Sequence, residues 1–331
     1  MRLLVTGGLG FIGSNFIRYF LAARREARVV NLDAMTYAAN PASLLEVARD
    51  RRYRFIRGDV ADPRAVERAI AGCSAVVHFA AESHVDRSIE AAAPFLRTNV
   101  IGTQVLLDAA RKAGLRRFLH VSTDEVYGSL GPQEVSTETG PLRPRSPYAA
   151  SKAAADHLVL AAHETFGLPV LIARPSNNYG PYQFPEKFLP LMITNAFEDR
   201  PLPIYGTGRN VREWLFVEDC CEGLAALLEK GRPGEIYNVG GVTGYENLSV
   251  ARRLVAALGK PESLITFVPD RPGHDLRYAL DSGKIAREAG WRPRVGLEEG
   301  LARTIRWYRE HDRWWRPLKG ALNRETRGYW S

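Results

Sequence analysis

The chain has 331 residues, of which 45% are hydrophobic and 25% charged, and its formal net charge is +8. This length suggests about two domains, and the composition excludes disordered, collagen-like and low-complexity chains. The cationic residues are scattered rather than gathered in one block, and no apolar run in the sequence is long enough to cross a bilayer. We therefore expect a folded protein that has neither a nucleic acid nor a membrane as its partner.

Short apolar runs bounded by turn residues alternate with helix-length segments along the first half of the chain. They predict buried strands at Leu3–Thr6, Arg28–Leu32, Tyr53–Arg57, Ala75–Phe79, Arg117–Val121 and Val170–Ala173. Strands that alternate with helices form βαβ units, right-handed crossovers and a parallel sheet covered on both faces. The sequence thus predicts an α/β fold, with a doubly wound parallel sheet of the Rossmann type in residues 1–174.

The regular pattern is lost after residue 174. Prolines are crowded between Pro175 and Pro203, which indicates loops, so we expect residues 175–331 to form mainly a smaller, mixed lobe that binds substrate. Two later segments, Glu213–Val217 and Glu235–Val239, have the pattern of strands. We expect that segments near residues 211–241 return to the first domain.

A glycine-rich loop follows the first predicted strand and precedes an apolar helix. Its sequence is Gly7-Gly8-Leu9-Gly10-Phe11-Ile12-Gly13. Glycines allow a sharp turn and a close approach of the backbone to a pyrophosphate, which then lies at the free N–H groups of the helix N-terminus. The strand before this loop and the helix after it make a dinucleotide site the favoured interpretation.

An acidic residue, Asp33, ends the second predicted strand twenty residues after Gly13. A carboxylate at this position accepts hydrogen bonds from ribose hydroxyls and repels a 2′-phosphate, so NAD is favoured over NADP. The alternative is that Asp33 serves only as a turn residue or helix cap. Asp59, which follows the third strand, is placed where a side chain reaches the adenine.

Tyr148 and Lys152 are four residues apart, so on a helix that begins near Pro147 they share one face. An ammonium next to a phenol stabilises the phenolate, which then takes a proton from an alcohol as a hydride leaves. The spacing by itself also arises by chance. Its combination with the glycine loop, with Asn99 and with Ser122-Thr123 after the fifth strand favours the catalytic interpretation.

The three cysteines, Cys73, Cys220 and Cys221, are not spaced as metal ligands, and adjacent cysteines rarely form a disulfide. We expect small buried hydrophobic side chains, no metal, and a cytoplasmic location.

Together these residues resemble the extended short-chain dehydrogenase/reductase family over essentially the whole chain. Further segments are similar to its dTDP-glucose 4,6-dehydratase branch, namely Thr123-Asp124-Glu125, Ala80–Ser88, Ser176–Tyr182, Pro185-Glu186-Lys187 and Asp270–Asp275. The resemblance implies oxidation of dTDP-glucose at C4, loss of water across C5 and C6, and return of the hydride to C6. The product would be dTDP-4-keto-6-deoxyglucose, and NAD would end as it began.

The resemblance also implies roles for individual residues. Asp124 would be the general acid, Glu125 the base at C5, Thr123 the hydroxyl that orients the C4 oxygen, and Tyr148 with Lys152 the pair for the hydride step. The alternative for the two acids is a solvated loop entry. Paired carboxyls at the carboxyl end of a parallel strand, however, lie where α/β sheets bind substrate.

Two further sets of residues follow from the resemblance. The cofactor-binding set is predicted as Gly7, Gly10, Phe11, Ile12, Gly13, Asp33, Thr36, Asp59, Val60, Ala80, Ala81, Glu82, Thr98, Ser122, Tyr148, Lys152 and Asn178. The set for the nucleotide sugar is predicted as Ser83, His84, Thr123, Asn177, Lys187, Arg212, Asn247, Arg271, His274 and Tyr278. Arginine forks suit a diphosphate, so Arg212 and Arg271 are the candidates for it. The family also implies a homodimer through helices near Val100–Ala113 and Ser151–Phe166.

Other functions remain open. A 4-epimerase of the same family needs the oxidation pair but no acid to expel a hydroxyl, so Asp124 discriminates against it. A GDP-mannose dehydratase or a decarboxylase resembles the chain less around Asp124. A non-catalytic dinucleotide- or RNA-binding protein would use the arginines and aromatics between Arg303 and Arg316 as its contact surface. The simpler interpretation of that stretch is an amphipathic helix whose aromatics pack and whose arginines face water.

Overall fold

The computed structural model describes the backbone of residues 1–325 and the side chains of residues 1–322, so the last six residues of the predicted second lobe lie outside the described residues. The strands are β1 (Arg2–Thr6), β2 (Arg28–Asp33), β3 (Tyr53–Arg57), β4 (Ala75–His78), β5 (Arg117–Val121), β6 (Val170–Pro175), β7 (Asn177–Tyr179), β8 (Leu202–Tyr205), β9 (Val211–Phe216), β10 (Ile236–Val239), β11 (Gly244–Glu246) and β12 (Ile265–Val268).

The helices are α1 (Phe11–Ala23), α2 (Pro63–Ile70), α3 (Val85–Glu90), α4 (Ala93–Phe95), α5 (Gly102–Lys112), α6 (Pro147–Phe166), α7 (Phe188–Phe197), α8 (Val217–Lys230), α9 (Asn247–Leu258), α10 (Gly283–Ala289), α11 (Leu297–Glu310) and α12 (Asp312–Glu325). A π-helical segment, Leu96–Ile101, joins α4 to α5, and 3-10 turns occur at Pro41–Leu44, Asp124–Tyr127 and Glu262–Leu264. Within residues 1–325, no helix is long and apolar enough to cross a membrane.

Seven strands form one parallel sheet in the order β10-β6-β5-β4-β1-β2-β3. One face packs against a cluster that includes Phe16 and Phe20 of α1 and Leu224 of α8. The other face packs against a cluster that includes Leu106 of α5 and Val159 of α6. Apart from β3, these strands are largely buried between two helical layers, which confirms the predicted Rossmann-type fold. The expectation of a buried strand at Tyr53–Arg57 was wrong in its burial: β3 is the edge strand of the sheet, and three of its five residues are exposed.

The smaller lobe contains two further sheets, one with β11 antiparallel and β7 parallel to β9, and one in which β12 and β8 are parallel. A mixed lobe was the expectation. Of the two segments expected to return to the large sheet, β10 lies beside β6, whereas β9 pairs with β7 and β11. The expectation for β9 was wrong because an apolar pattern predicts a strand without specifying its partner. The division at residue 174 stays a prediction.

The aromatic stretch near the C-terminus forms two helices, α11 and α12, instead of one. Trp307, Tyr308 and Trp315 are buried in the core of the small lobe, while Arg306 and Arg309 are exposed. The packing interpretation of this stretch is therefore confirmed. The cysteines are also free and buried, as expected.

Candidate functional site

The glycine loop connects β1 to α1 at the carboxyl edge of the sheet. Gly7 has a φ of +69°, and a Cβ at Gly13 would lie 2.4 Å from the carbonyl oxygen of Gly7. Gly10, the N-cap of α1, offers no side chain to the N–H groups of the first turn. These groups are therefore available to an anion, and the close packing of Gly7 on Gly13 explains why larger residues do not fit.

Asp33 lies at the end of β2, beside this loop, and is 7% exposed. The N–H groups of Leu9 and Met35 donate to its two carboxylate oxygens at 2.9 and 2.8 Å. Burial raises the pKa of Asp33, and these two hydrogen bonds act in the opposite direction. The backbone thus fixes a carboxylate at the edge of the glycine loop, the position required for a ribose diol.

Asn99 fixes the loop that follows β4. Its side chain accepts from the Glu82 N–H at 2.9 Å, and its amide donates to the Glu82 carbonyl at 3.0 Å and to the Ser151 hydroxyl at 2.9 Å. Asn99 lies in the π-helical segment, which also carries Thr98. Irregular helical turns of this kind are frequent at functional sites because they redirect side chains.

All residues predicted to bind the cofactor line one cleft above the carboxyl edge of the sheet. Two buried oxygens there, Ser122 Oγ and Asn178 Oδ1, have no hydrogen-bond partner among the residues that the structure describes. A cleft with a glycine cradle, a fixed carboxylate and unpaired polar atoms fits a dinucleotide such as NAD.

The predicted catalytic pair projects into the same cleft from α6. Ser146 is the N-cap of this helix, and Pro147 is the first helical residue. Tyr148 and Lys152 therefore lie on one face near the helix N-terminus. The Nζ of Lys152 donates to the Val121 carbonyl at 2.8 Å. Burial lowers the pKa of Lys152 to about 8. Burial and the nearby carboxyl of Glu125 raise the pKa of Tyr148.

Thr123, Asp124 and Glu125 follow β5 directly and begin a 3-10 turn. The hydroxyl of Thr123 donates to Asp124 Oδ1 at 3.2 Å and accepts from the Glu125 N–H at 3.2 Å. Burial, followed by the charge of Glu125, raises the pKa of Asp124 well above its usual range. Asp124 is 3% exposed, and its second oxygen has no partner. Burial and the neighbouring charge therefore favour the protonated form of Asp124.

The surroundings of Glu125 differ from those of Asp124. Burial raises the pKa of Glu125 as well, but Arg271, Arg212 and Lys187 oppose that shift. The pKa values of both adjacent carboxyls are therefore raised, that of Asp124 well above its usual range, while three cations limit the rise for Glu125. Unequal surroundings of this kind suit Asp124 as the proton donor and Glu125 as the proton acceptor.

The predicted substrate residues fall into two groups. Those that line the cleft itself are Ser83, Thr123, Asn177 and Lys187. The other six residues do not line the cleft, namely His84, Arg212, Asn247, Arg271, His274 and Tyr278. The charges of Arg212 and Arg271 nevertheless oppose the rise in the pKa of Glu125, so both guanidinium groups act electrostatically on that carboxyl.

Local contacts hold these outer residues. Arg212 donates to the Asp275 carbonyl at 2.8 Å and lies over the ring of Tyr278, whose hydroxyl donates to Asp275 at 2.6 Å. Arg271 pairs with Asp86 at 3.3 Å, and its Nε is buried without a partner. A held guanidinium with an unpaired N–H suits a phosphate oxygen.

The two histidines and Asn247 have structural contacts. The Nδ1 of His84 accepts from the Arg87 N–H at 3.5 Å at the start of α3, and that of His274 lies 2.6 Å from Asp270. Burial lowers the pKa of both histidines, that of His274 to about 4, so both are neutral at pH 7. Asn247 begins α9, and its N–H donates to the Asn210 carbonyl at 2.9 Å.

Several residues at the site were missed by the sequence analysis as site residues. Glu186 lines the cleft and accepts from the Tyr37 hydroxyl at 2.8 Å, and Asp86 bonds to both Arg271 and Tyr205. Glu186 and Asp86 lie in segments that carried the family resemblance. Their position in those segments was the available sequence signal for a functional role. An isolated acidic residue carries no pattern that marks it as part of a site.

The comparisons with known proteins agree with this geometry. The family model described as GDP-mannose 4,6 dehydratase matches residues 4–304. The dTDP-glucose 4,6-dehydratase of Streptomyces niveus is 50% identical over 323 residues, with 96% of each chain covered. That of Xanthomonas campestris pv. campestris is 51% identical over 340 residues, with 97% of this chain and 95% of the relative covered.

Solved structures show the same relationship. The dTDP-glucose 4,6-dehydratase of Streptomyces venezuelae, with NAD and TYD bound, superposes with a TM-score of 0.94 at 53% identity, covering 96% of this chain and 100% of that chain. The UDP-glucose 4-epimerase of Thermus thermophilus in complex with NAD has a TM-score of 0.87 at 33% identity, covering 94% of this chain and 100% of that chain. By sequence and structure, this chain belongs to the nucleotide-sugar dehydratase family of the extended short-chain dehydrogenase/reductases, in its dTDP-glucose 4,6-dehydratase branch.

Proposed function

We propose that this protein converts dTDP-glucose to dTDP-4-keto-6-deoxyglucose and water, with NAD as its cofactor. The observation that carries the proposal is the buried acid pair in the cleft. The pKa of Asp124 is raised well above its usual range, and the charges of Arg271, Arg212 and Lys187 oppose the rise in the pKa of Glu125. A 4-epimerase has no need of such a pair, since it expels no hydroxyl. The names of the relatives at about 50% identity support dTDP-glucose as the substrate.

In the first step, Tyr148 takes the proton of the C4 hydroxyl as the C4 hydride leaves. The cleft lined by the glycine loop and Asp33 would hold NAD, which would supply the acceptor for this hydride and its source for C6. The ammonium of Lys152, one helical turn along α6, stabilises the phenolate, and the hydroxyl of Thr123 orients the C4 oxygen.

In the second step, the new ketone at C4 makes the C5 proton acidic. Glu125 takes that proton, while Asp124 gives its own proton to the C6 hydroxyl, which leaves as water. The C5–C6 double bond formed here accepts the returning hydride at C6 and a proton at C5 from Glu125. The product keeps its C4 ketone, so Tyr148 ends the reaction with one proton more and Asp124 with one proton fewer. Exchange with solvent moves a proton from Tyr148 to Asp124 and restores both groups, and the net change is the loss of one water.

The diphosphate of the substrate would lie among Arg212, Arg271 and Lys187. Their charges also favour the ionised form of Glu125, so a bound diphosphate would partly neutralise them and strengthen Glu125 as a base. We further propose a homodimer through α5 and α6 and a cytoplasmic location, which the free, buried cysteines support.

Incubation with a panel of nucleotide-glucose donors tests the substrate. We expect dTDP-glucose to give a product that absorbs as a 4-keto sugar in alkali, without net accumulation of NADH. The uracil analogue lacks one methyl group, a difference of about 1–3 kcal/mol in a fitted pocket, so we expect it to react more slowly. A product that keeps its C6 hydroxyl and is inverted at C4 would identify an epimerase and contradict the proposal.

A further inference from the structure

Behind the catalytic pair, α6 and the large sheet enclose a cluster of polar side chains that the proposed chemistry does not use. Asp156 lies on α6 four residues beyond Lys152, and Arg174 and His120 approach it from β6 and β5. Asp156, Arg174 and His120 are all 0–2% exposed. Buried charges at this depth are costly unless they are paired or serve a function.

A hydrogen bond holds one oxygen of the Asp156 carboxylate, and the other oxygen is unpaired among the described residues. Arg174 donates through Nε to Asp156 Oδ2 at 2.9 Å and through Nη1 to the Tyr127 hydroxyl at 2.9 Å, and Tyr127 donates to Asn238 at 2.8 Å. The other oxygen of the carboxylate, Asp156 Oδ1, has no hydrogen-bond partner and lies 3.6 Å from Nε2 of His120. Arg174 orients this carboxylate, but one of its oxygens is unpaired. Its negative charge can therefore stabilise another charged group.

That group is Lys152. Residues at i and i+4 of a helix are neighbours on one face, so the ammonium and the Asp156 carboxylate share the same buried side of α6. The charged and titratable groups that interact electrostatically with Lys152 are Asp156 from α6, His78 from β4 and His120 from β5, and Arg174 from β6 acts on His120. Burial and the charge of Lys152 lower the pKa of both histidines, so both are neutral. Asp156 is the carboxylate of this group, and it raises the pKa of Lys152 against the effect of burial.

We propose that Asp156, held by Arg174, is a positioning residue for the hydride step, whose carboxylate keeps Lys152 charged while Tyr148 exchanges the hydroxyl proton. The inference rests on the proposed function, because it acts through the catalytic pair assigned there. Asp156 touches neither substrate nor cofactor in this account, and its effect passes through Lys152 alone.

The pH profile of the oxidation step tests this role. The Glu125→Gln variant isolates that step, because elimination stalls and NADH absorbance reports C4 oxidation in a single turnover. Asp156 raises the pKa of both Lys152 and Tyr148. Adding Asp156→Asn should therefore move the whole profile to lower pH by about one unit, and the rate above pH 8 should fall about tenfold.

Matched variants separate this effect from a loss of folding. Asp156→Glu keeps the charge, and Tyr127→Phe removes a hydroxyl of the cluster without changing the charge beside Lys152, so both should keep the parent profile. The double variant Asp156→Asn/Arg174→Gln leaves no unpaired buried guanidinium and should still shift the profile. A purely structural role predicts lower yield or amplitude with an unmoved profile, and that result in the single and double variants would overturn the inference.

The proposed function is tested separately in the same experiments. If the parent protein dehydrates dTDP-glucose but the Asp156 variants keep its pH profile, only the inference fails. If the parent protein oxidises no nucleotide-glucose donor, the proposed function fails. The inference about Asp156 then fails as well, because it requires a hydride step.

Discussion

At the scale of single residues, the chemistry depends on how differently the protein treats two adjacent carboxyls. Asp124 has burial and the charge of Glu125 acting together on its pKa, whereas Glu125 has burial opposed by Arg271, Arg212 and Lys187. The sequence order Thr123-Asp124-Glu125 predicted the pair, because it follows a recognisable strand. The unequal surroundings of the two carboxyls were not predictable, since Arg212 comes from β9 and Arg271 from the segment after β12, about ninety and one hundred and fifty residues further along the chain.

Replacing Glu125 with Gln should stop elimination while leaving C4 oxidation competent. The amide fills the same space but accepts no proton, so steady-state turnover should fall by about 10²-fold or more. Single-turnover absorbance would then show NADH accumulating. Glu298→Gln changes a carboxyl on α11 whose side chain is 68% exposed, and it should leave turnover largely intact. Unchanged turnover in the Glu125 variant would contradict the role assigned to this residue.

Among the buried carboxyls, Glu213 gives a pH dependence with a defined sign. Burial raises its pKa from 4.5 to about 7, so the folded protein binds this proton more tightly than the unfolded chain. The resulting stabilisation is complete below pH 4.5 and is lost as the pH rises through about 7. Glu213→Gln mimics the protonated acid at every pH.

The Glu213→Gln variant should therefore exceed the parent in free energy of unfolding at pH 8 by about 2 kcal/mol, with little difference at pH 5. Denaturant titrations at the two pH values measure this. Glu262→Gln is the control, because that side chain is 66% exposed and should show no such pH dependence. An equal effect of Glu213→Gln at both pH values would contradict the assignment.

At the scale of elements, the large sheet was predictable because most of its first six strands are buried apolar runs between turn residues, the exception being the partly exposed edge strand β3. The predicted Leu3–Thr6 and Arg117–Val121, for example, differ from β1 and β5 by at most one residue. The short strands of the small lobe were not predicted individually. Strands of three or four residues, such as β7 and β11, carry too little periodicity, and their partners are distant in the chain.

The glycine loop gives a prediction at this scale. A Cβ at position 13 would lie 2.4 Å from the Gly7 carbonyl oxygen, so Gly13→Ala must displace the loop from the start of α1. We expect the fraction of NAD retained through purification to fall at least about tenfold, since a cofactor cradle depends on close backbone packing. Gly296→Ala is the matched control, because a Cβ there meets no atom within 4 Å. Equal NAD content in both variants would contradict the placement of the pyrophosphate.

At the scale of the whole molecule, the two walls of the cleft are joined by contacts between parts of the chain that are far apart in sequence. Tyr37 and Glu186 are 149 residues apart, yet the Tyr37 hydroxyl donates to the Glu186 carboxylate beside the cofactor cleft. The motifs predicted both walls of the cleft separately. The contacts between them depend on how the small lobe packs, which no local pattern specifies.

The proposed dimer is also tested at this scale. Ile101 is 53% exposed at the start of α5, and burial of such a side chain against a partner would stabilise the dimer. Light scattering should give a dimer for the parent and a monomer for Ile101→Glu. Val242→Glu changes a side chain that is 68% exposed between β10 and β11 and should leave the dimer intact. A monomeric parent would contradict the proposed assembly.

The path of one hydrogen atom tests the whole account most directly. A mixture of dTDP-glucose deuterated at C4 and unlabelled dTDP-glucose should give products in which the deuterium lies at C6 of the same molecules that carried it, with no crossover between molecules. Mass spectrometry and NMR of the product measure this. Deuterium lost to solvent, or spread between labelled and unlabelled sugars, would contradict an oxidation, elimination and hydride return carried out within one closed cleft.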